Sequence, residues 1–228
     1  MTAYIIDTET TDANPETAEV IELAIAALYD AGDSIAWLDG SAVTRRFAPL
    51  GPITFGALAT HHILPEELDG CLPSSDAALP HDTSYIIGHN VDFDWTVLGA
   101  PPVRRICTLA MARAVWPSLD SHKLGALVYS LNGATRATKE LLRGAHSAGA
   151  DVDLCYIVLN GILQTRPGIR TVEQLWDFSE ECRIPTVMTF GKYKGEPLEN
   201  VDRGWIQWYR RLPDTDPYLL EAFRRLGR

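Results

Sequence analysis

Residues 5–10 read IIDTET, two β-branched apolar residues running into Asp7 and Glu9. Side chains alternate across a strand, so carboxylates two positions apart share one face. They repel each other, so a positive group is expected between them, or the pair sits in water at a strand end. Three further groups stand at the ends of strand patterns and the starts of helix patterns, where α/β folds build sites. Asp94 follows the apolar run SYIIGHN, within HNVDFD; Asp151 opens a long apolar helix pattern; His146 precedes it in HSAGAD. Singly, each has an ordinary explanation, since Asp is favoured at helix N-termini. Together they make a set of four carboxylates and a base. Hard divalent cations take oxygen ligands, one or two carboxylates each, with water and phosphate filling the remaining positions. Two such ions, about 3.5–4 Å apart, clamp the attacking and leaving oxygens of a phosphodiester. Histidine supplies a base that titrates near neutrality.

In this order, DTET, HNVDFD and HSAGAD resemble the three motifs of the DEDDh (DnaQ-like) 3′→5′ exonucleases, D-x-E, H-N-x-x-F-D and H-x4-D. The resemblance implies a ribonuclease H-like mixed sheet flanked by helices. It also implies Asp7, Glu9, Asp94 and Asp151 as ligands of two Mg²⁺ (or Mn²⁺), with His146 as general base. The placing of His146 ahead of Asp151 separates the chain from the branch that uses Tyr. The match runs beyond the motifs. VIELA (20–24) resembles the family's second strand, and ALATHHI (57–63) its A-x-x-x-H-x-I segment, which puts His61 near the terminal nucleotide. Thr10, Asn90, and Lys192 and Lys194 of FGKYKG join His61 as expected substrate-binding residues. The sequence departs from the pattern at Asp12, where many relatives have Gly, and at Asp92, an additional acid in the second motif. The implied reaction is hydrolysis of single-stranded or frayed duplex DNA from the 3′ end to nucleoside 5′-monophosphates. Two alternatives are an exoribonuclease, separated from the first by contact with a 2′-OH, and an inactive nucleic-acid-binding module. The presence of all five residues argues against the last.

Positioning these groups falls to a mixed α/β arrangement. AYIID, EVIELAIAALYD, DSIAWLDG and VTRRFAP read as strand pieces of an antiparallel meander, with DGS as a turn. TFGALATHHI reads as a short helix opened by Thr54, and PEEL as another helical turn. SYIIGHN and RRICT read as strands, each followed by a helix, VDFDWTVLG and TLAMARAVW. HKLGALVYSLN, 149–164 and 171–181 read as further helices. Strands first, then alternating strand and helix, imply a sheet with helices on its faces. A composition shift near RIPTVM separates an expected exonuclease domain, 1–185, from a small C-terminal module, 186–228. In the module, Trp205, Trp208, Tyr209 and Leu212 follow i, i+3, i+4, i+7 and are expected to form its core rather than a stacking platform. FGKYKG lacks the P-loop frame; it suits either a basic hairpin turn or contacts to a phosphate and a base.

The chain has 228 residues, 46% hydrophobic and 22% charged, enough for one sizeable core. Its net charge of -10 argues against a nucleic-acid partner if read alone. The charge is uneven, however: residues 1–185 hold 12 Lys+Arg against 24 Asp+Glu, and 186–228 hold 8 against 6. Four scattered cysteines without a CxxC pair exclude a zinc ribbon and suit reduced, buried thiols in a cytoplasmic protein. No apolar run approaches the ~18 residues of a membrane span, and the first residues lack the basic and apolar regions of a leader.

Overall fold

The computed structural model describes residues 2–31, 34–37 and 42–228. Contacts divide the chain into two compact units, 1–179 and 180–228.

The first unit is built on a sheet of strands β1 (Thr2–Thr10), β2 (Val20–Asp30), β3 (Ile35–Trp37), β4 (Val43–Ala48), β5 (Leu72–Pro73), β6 (Thr83–Gly88) and β7 (Arg104–Cys107). Their order is β5-β4-β2-β1-β6-β7, with β3 also paired to β2. The long strands β1 and β2 are antiparallel, whereas β6 and β7 join β1 as parallel neighbours. β3 and β4 pair with successive parts of the same edge of β2, β4 at 22–25 and β3 at 28–30. The expected meander is therefore two short pieces sharing one partner; the DGS turn lies outside the described residues.

Helices α1 (Phe55–His61), α2 (Asp92–Val97), α3 (Thr108–Val115), α4 (Leu124–Asn132), α5 (Arg136–Leu141), α6 (Ala148–Thr165) and α7 (Val172–Arg183) complete this unit, with α7 continuing past its boundary. Thr54 caps α1 by accepting from the Ala57 N–H, as its position suggests. PEEL forms a 3₁₀ turn. The two faces of β1 differ. Ile6 packs with Ile86, Val91, Trp95 and Leu98, on the side of α2. The alternate residues Ala3 and Ile5, fully buried, share the other face with Asp7 and Glu9. α6 packs on β1 and β2 and carries α3 and α4 against itself. Its buried residues include Val152, Leu154, Cys155, Val158, Leu159 and Ile162, the apolar stripe that holds it on the sheet. Gly149 permits a close seat at its first turn, because a Cβ there would lie 2.7 Å from Thr44 Oγ1.

The second unit holds the end of α7, α8 (Arg203–Tyr209) and α9 (Pro217–Arg225). Asp202 caps α8 and Asp216 caps α9, the latter with Pro217 in the first turn. Its core is Met188, Leu198, Val201, Ile206, Tyr209, Leu219, Ala222 and Phe223. Trp205 and Leu212 pack against this core as the spacing implies, but Trp208 is 54% exposed. FGKYKG forms the tip of an irregular hairpin: Gly195 N–H donates to Met188 O and Met188 N–H to Glu196 O, with a 3₁₀ turn at Gly191–Tyr193.

Among the described residues no cysteine is in a disulfide. Cys107 and Cys155 are buried, while Cys71 and Cys182 are partly exposed. Among the described residues no helix is long and apolar enough to cross a membrane.

Candidate active site

The C-terminal end of β1 carries Asp7 and Glu9 to the first turn of α6. There, carboxylate oxygens of Asp7, Glu9 and Asp151 all lie within 4.8 Å of one another. Glu9 is 8% exposed. Three carboxylates this close, drawn out of water, hold their protons far longer than free ones do. Burial first, then the charges of Asp94, Asp151, Glu9 and Glu22, push Asp7 well above the ordinary carboxylate range. Burial followed by the charges of Asp151 and Glu22 pushes Glu9 up to about 8. Burial also raises Asp151, opposed by a hydrogen bond from the His146 backbone.

Asp94 arrives from the other face. It sits in the first turn of α2, buried, and its Oδ1 accepts a 2.7 Å hydrogen bond from the Thr8 hydroxyl. Thr8 points to the α2 side of β1 by alternation, so Asp94 stands outside the three-carboxylate cluster while its charge still raises Asp7. Burial pushes Asp94 itself up to about 7. The neighbouring acid Asp92 turns away, ion-paired at 2.6 Å to Arg105.

His146 lies in the loop before α6, exposed, with φ 68 in the left-handed region. Its N–H donates to Asp151 Oδ2 at 3.2 Å, which ties the loop to the cluster. Asp151 N–H in turn donates to Ser147 O, so Asp151 is fixed by its own helix and by this loop.

Glu22 was not among the residues singled out from the sequence. It faces Glu9 across the β1–β2 pair and is 3% exposed. Its Oε1 accepts from Arg46 Nε at 3.0 Å, and its Oε2 from the Ala148 N–H at 2.9 Å. A carboxylate thus holds the first residue of α6, three positions before Asp151. The available signal was a charged residue inside the apolar run VIELA, which buries only if it is paired.

Beside the cluster is a cleft of about 400 Å³, lined by Thr8, Glu9, Thr10, Thr54, Ala57, His61 and Phe93 among others. His61 is buried; its Nδ1 accepts from the Ile63 N–H at 2.9 Å, so the proton sits on Nε2, which faces the Thr10 backbone carbonyl. Burial lowers its pKa. His62, by contrast, is an exposed left-handed C-cap of α1. The Thr10 hydroxyl donates to Asp12 O at 2.7 Å, so Thr10 shapes the cleft wall. Asn90 is exposed at φ 75, accepts from the Phe93 N–H through its carbonyl, and is not among the residues lining the cleft. Phe93 supplies the cleft's aromatic wall, a role the motif reading had not given it. His89 bonds locally, to Thr108 Oγ1 at 3.0 Å and His122 O at 2.9 Å. Lys192 and Lys194 belong to the second unit, where both are exposed.

No family model matches the chain. Exodeoxyribonuclease 10 of Escherichia coli K12 is 29% identical over 227 residues, covering 94% of each chain. A structure of exonuclease X in complex with 5′ overhanging duplex DNA superposes with a TM-score of 0.59 at 27% identity, covering 78% of this chain and 99% of that one. The chain is similar to exodeoxyribonuclease X. Both comparisons bear out the likeness to the DnaQ-like exonucleases carried by the three motifs. E. coli exonuclease I, in its zinc-bound complex with single-stranded DNA, shares the fold, with a TM-score of 0.55 at 20% identity, and this chain covers 42% of it. The fold is the ribonuclease H-like mixed sheet.

Proposed function

We propose that the chain is a metal-dependent 3′→5′ exodeoxyribonuclease that releases nucleoside 5′-monophosphates. One observation carries the reading: in a chain similar to exodeoxyribonuclease X along 94% of its length, carboxylates from β1 and α6 bring their oxygens within 4.8 Å of one another. The donor set fits hard divalent cations. All donors are carboxylate oxygens, and the raised pKa of Glu9, to about 8, is what a site built around positive charge has without it. Asp7, Glu9 and Asp151 would hold the metal, with Asp94 completing a two-Mg²⁺ (or Mn²⁺) site from the α2 side. When bound, such ions polarise the phosphoryl oxygens and offset the charge that develops on the leaving 3′-oxygen.

The chain's own residues do the rest. His146, exposed and tied through its backbone to Asp151, takes a proton from the attacking water. The cleft beside Glu9 receives the terminal nucleotide, with Phe93 as an apolar wall and His61 in its lining. Glu22 and Gly149 fix the start of α6, and so the distance of Asp151 from β1.

Digestion of 3′-labelled single-stranded DNA and RNA of equal sequence tests this reading. Labelled dNMP released from DNA with Mg²⁺ and none with EDTA supports it. Faster release from RNA assigns an exoribonuclease instead, and product in EDTA contradicts the metal site.

A further inference from the structure

The second unit exposes what its sequence spacing had assigned to its core. Trp208 is 54% and Phe190 39% exposed, and both touch Trp205: ring centroids lie 5.7 Å apart for Trp208–Trp205 and 6.1 Å for Phe190–Trp205. Tyr193 meets Trp205 edge-on at 5.8 Å, and Lys192 Nζ sits 4.7 Å from the Tyr193 ring centroid. The rings are therefore continuous from the hairpin tip to α8, with a cation at one end. Arg211 follows Trp208 by three residues, in the turn that ends α8, its N–H bonded to Trp208 O.

The cations of residues 186–228 fall into three groups, of which one, Arg210 and Arg228, bonds backbone oxygens. Arg224 and Arg225 are neutralised by Glu221 and Glu181. Lys192, Lys194, Arg203 and Arg211, all exposed, have no carboxylate partner among the described residues. Of the unpaired cations Lys192 stands against a ring, that of Tyr193, while the paired ones lie on α9. Exposed aromatic faces alternating with free cations match a polymer that alternates π-faces with phosphates. Duplex DNA hides its base faces, so the complementary form is a single strand.

We propose that Phe190, Trp208, Lys192, Lys194 and Arg211 form a binding surface for single-stranded nucleic acid, on which bases stack against the rings and phosphates meet the cations. The choice of partner rests on the nuclease reading above; the surface itself belongs to the second unit.

The test is fluorescence anisotropy of 5′-labelled oligo(dT) with the full-length chain in EDTA, where no turnover occurs. Trp208→Ala and Phe190→Ala are each expected to weaken binding about tenfold, Trp208→Phe to restore most of it, and Lys194→Gln with Arg211→Gln to lower the log–log salt slope by about 1.4. Unchanged melting temperatures show that the variants fold. Wild-type affinity in both alanine variants overturns the proposal. So does sedimentation showing that Trp208→Ala splits a dimer while oligo(dT) affinity stays the same. A chain that degrades no nucleic acid yet loses oligo(dT) affinity in Trp208→Ala keeps this surface and removes the nuclease reading.

Discussion

The two units break the usual inside–outside rule in opposite ways. In the first, charge is buried: Glu9, Glu22 and Asp94 are each at most 8% exposed, around a strand whose Ala3, Ile5 and Ile6 are fully buried. In the second, aromatic surface is exposed: Trp208 and Phe190 stand in solvent above a small apolar core. Buried carboxylates and exposed indoles are both costly to leave without a partner. The partners they imply are complementary, a divalent cation for one and the base of a single strand for the other. The difference also separates rigid from permissive parts. The acidic groups are fixed by a seven-stranded sheet and by hydrogen bonds from Thr8, Arg46 and Ala148. The aromatic surface rides on a 3₁₀ turn and a helix of 7 residues.

If the buried charges serve metal-assisted chemistry, the largest effect belongs to Asp7. Asp7→Ala should lower exonuclease turnover by roughly 10³-fold or more while leaving the fold intact, read by initial rates and circular dichroism. His146→Ala should cost about 10²–10³-fold, read by initial rates in Mg²⁺ with the fold checked by circular dichroism.

Stability offers the next test. In the metal-free protein Glu9 titrates near 8 and Asp94 near 7, whereas both release protons near their ordinary values once unfolded. The folded state therefore binds more protons between those limits, so stability is full below about pH 4 and falls as pH rises towards 8. Thermal melts in EDTA should drop over this window by several degrees, and Mn²⁺ or Mg²⁺ at pH 8 should recover the loss. A flat profile with no response to metal would remove the cluster from consideration as a cation site. Glu22→Ala strips the Arg46 and Ala148 partners at once and should destabilise by about 3 kcal/mol. Glu22→Gln keeps an acceptor for the amide and should recover part of this in a denaturant titration. On the other side of the comparison, Trp208→Ala should change stability by less than ~1 kcal/mol, because its side chain is more than half exposed.

The sequence made the cluster legible because its chemistry is local: two carboxylates at a strand end, one at a helix start, and the order of three motifs. Glu22 was hidden by its setting, since nothing in VIELA says which backbone amide will reach it from Ala148, far along the chain. The main strands and most helices were legible from apolar runs and caps. α5, RATKEL, offers no apolar face, whereas α9, absent from the sequence reading, carries both a start, Asp216 with Pro217, and an apolar side, Leu219, Ala222 and Phe223. The edge pieces β3 and β4 were visible as strands but not as neighbours along one stretch of β2, because alternation identifies faces and not partners. Trp208 misled because i, i+3, i+4, i+7 marks one side of a helix without saying what covers it.

The account turns on the cluster of Asp7, Glu9 and Asp151 as the centre of hydrolysis from the 3′ end. The most direct measurement follows 5′-labelled single-stranded DNA on a sequencing gel, with Mg²⁺, with EDTA, and with Asp7→Asn. The account predicts a ladder shortening one nucleotide at a time from the 3′ end, absent with EDTA and with the variant. A ladder that persists under either treatment, or internal cleavage in its place, would contradict it.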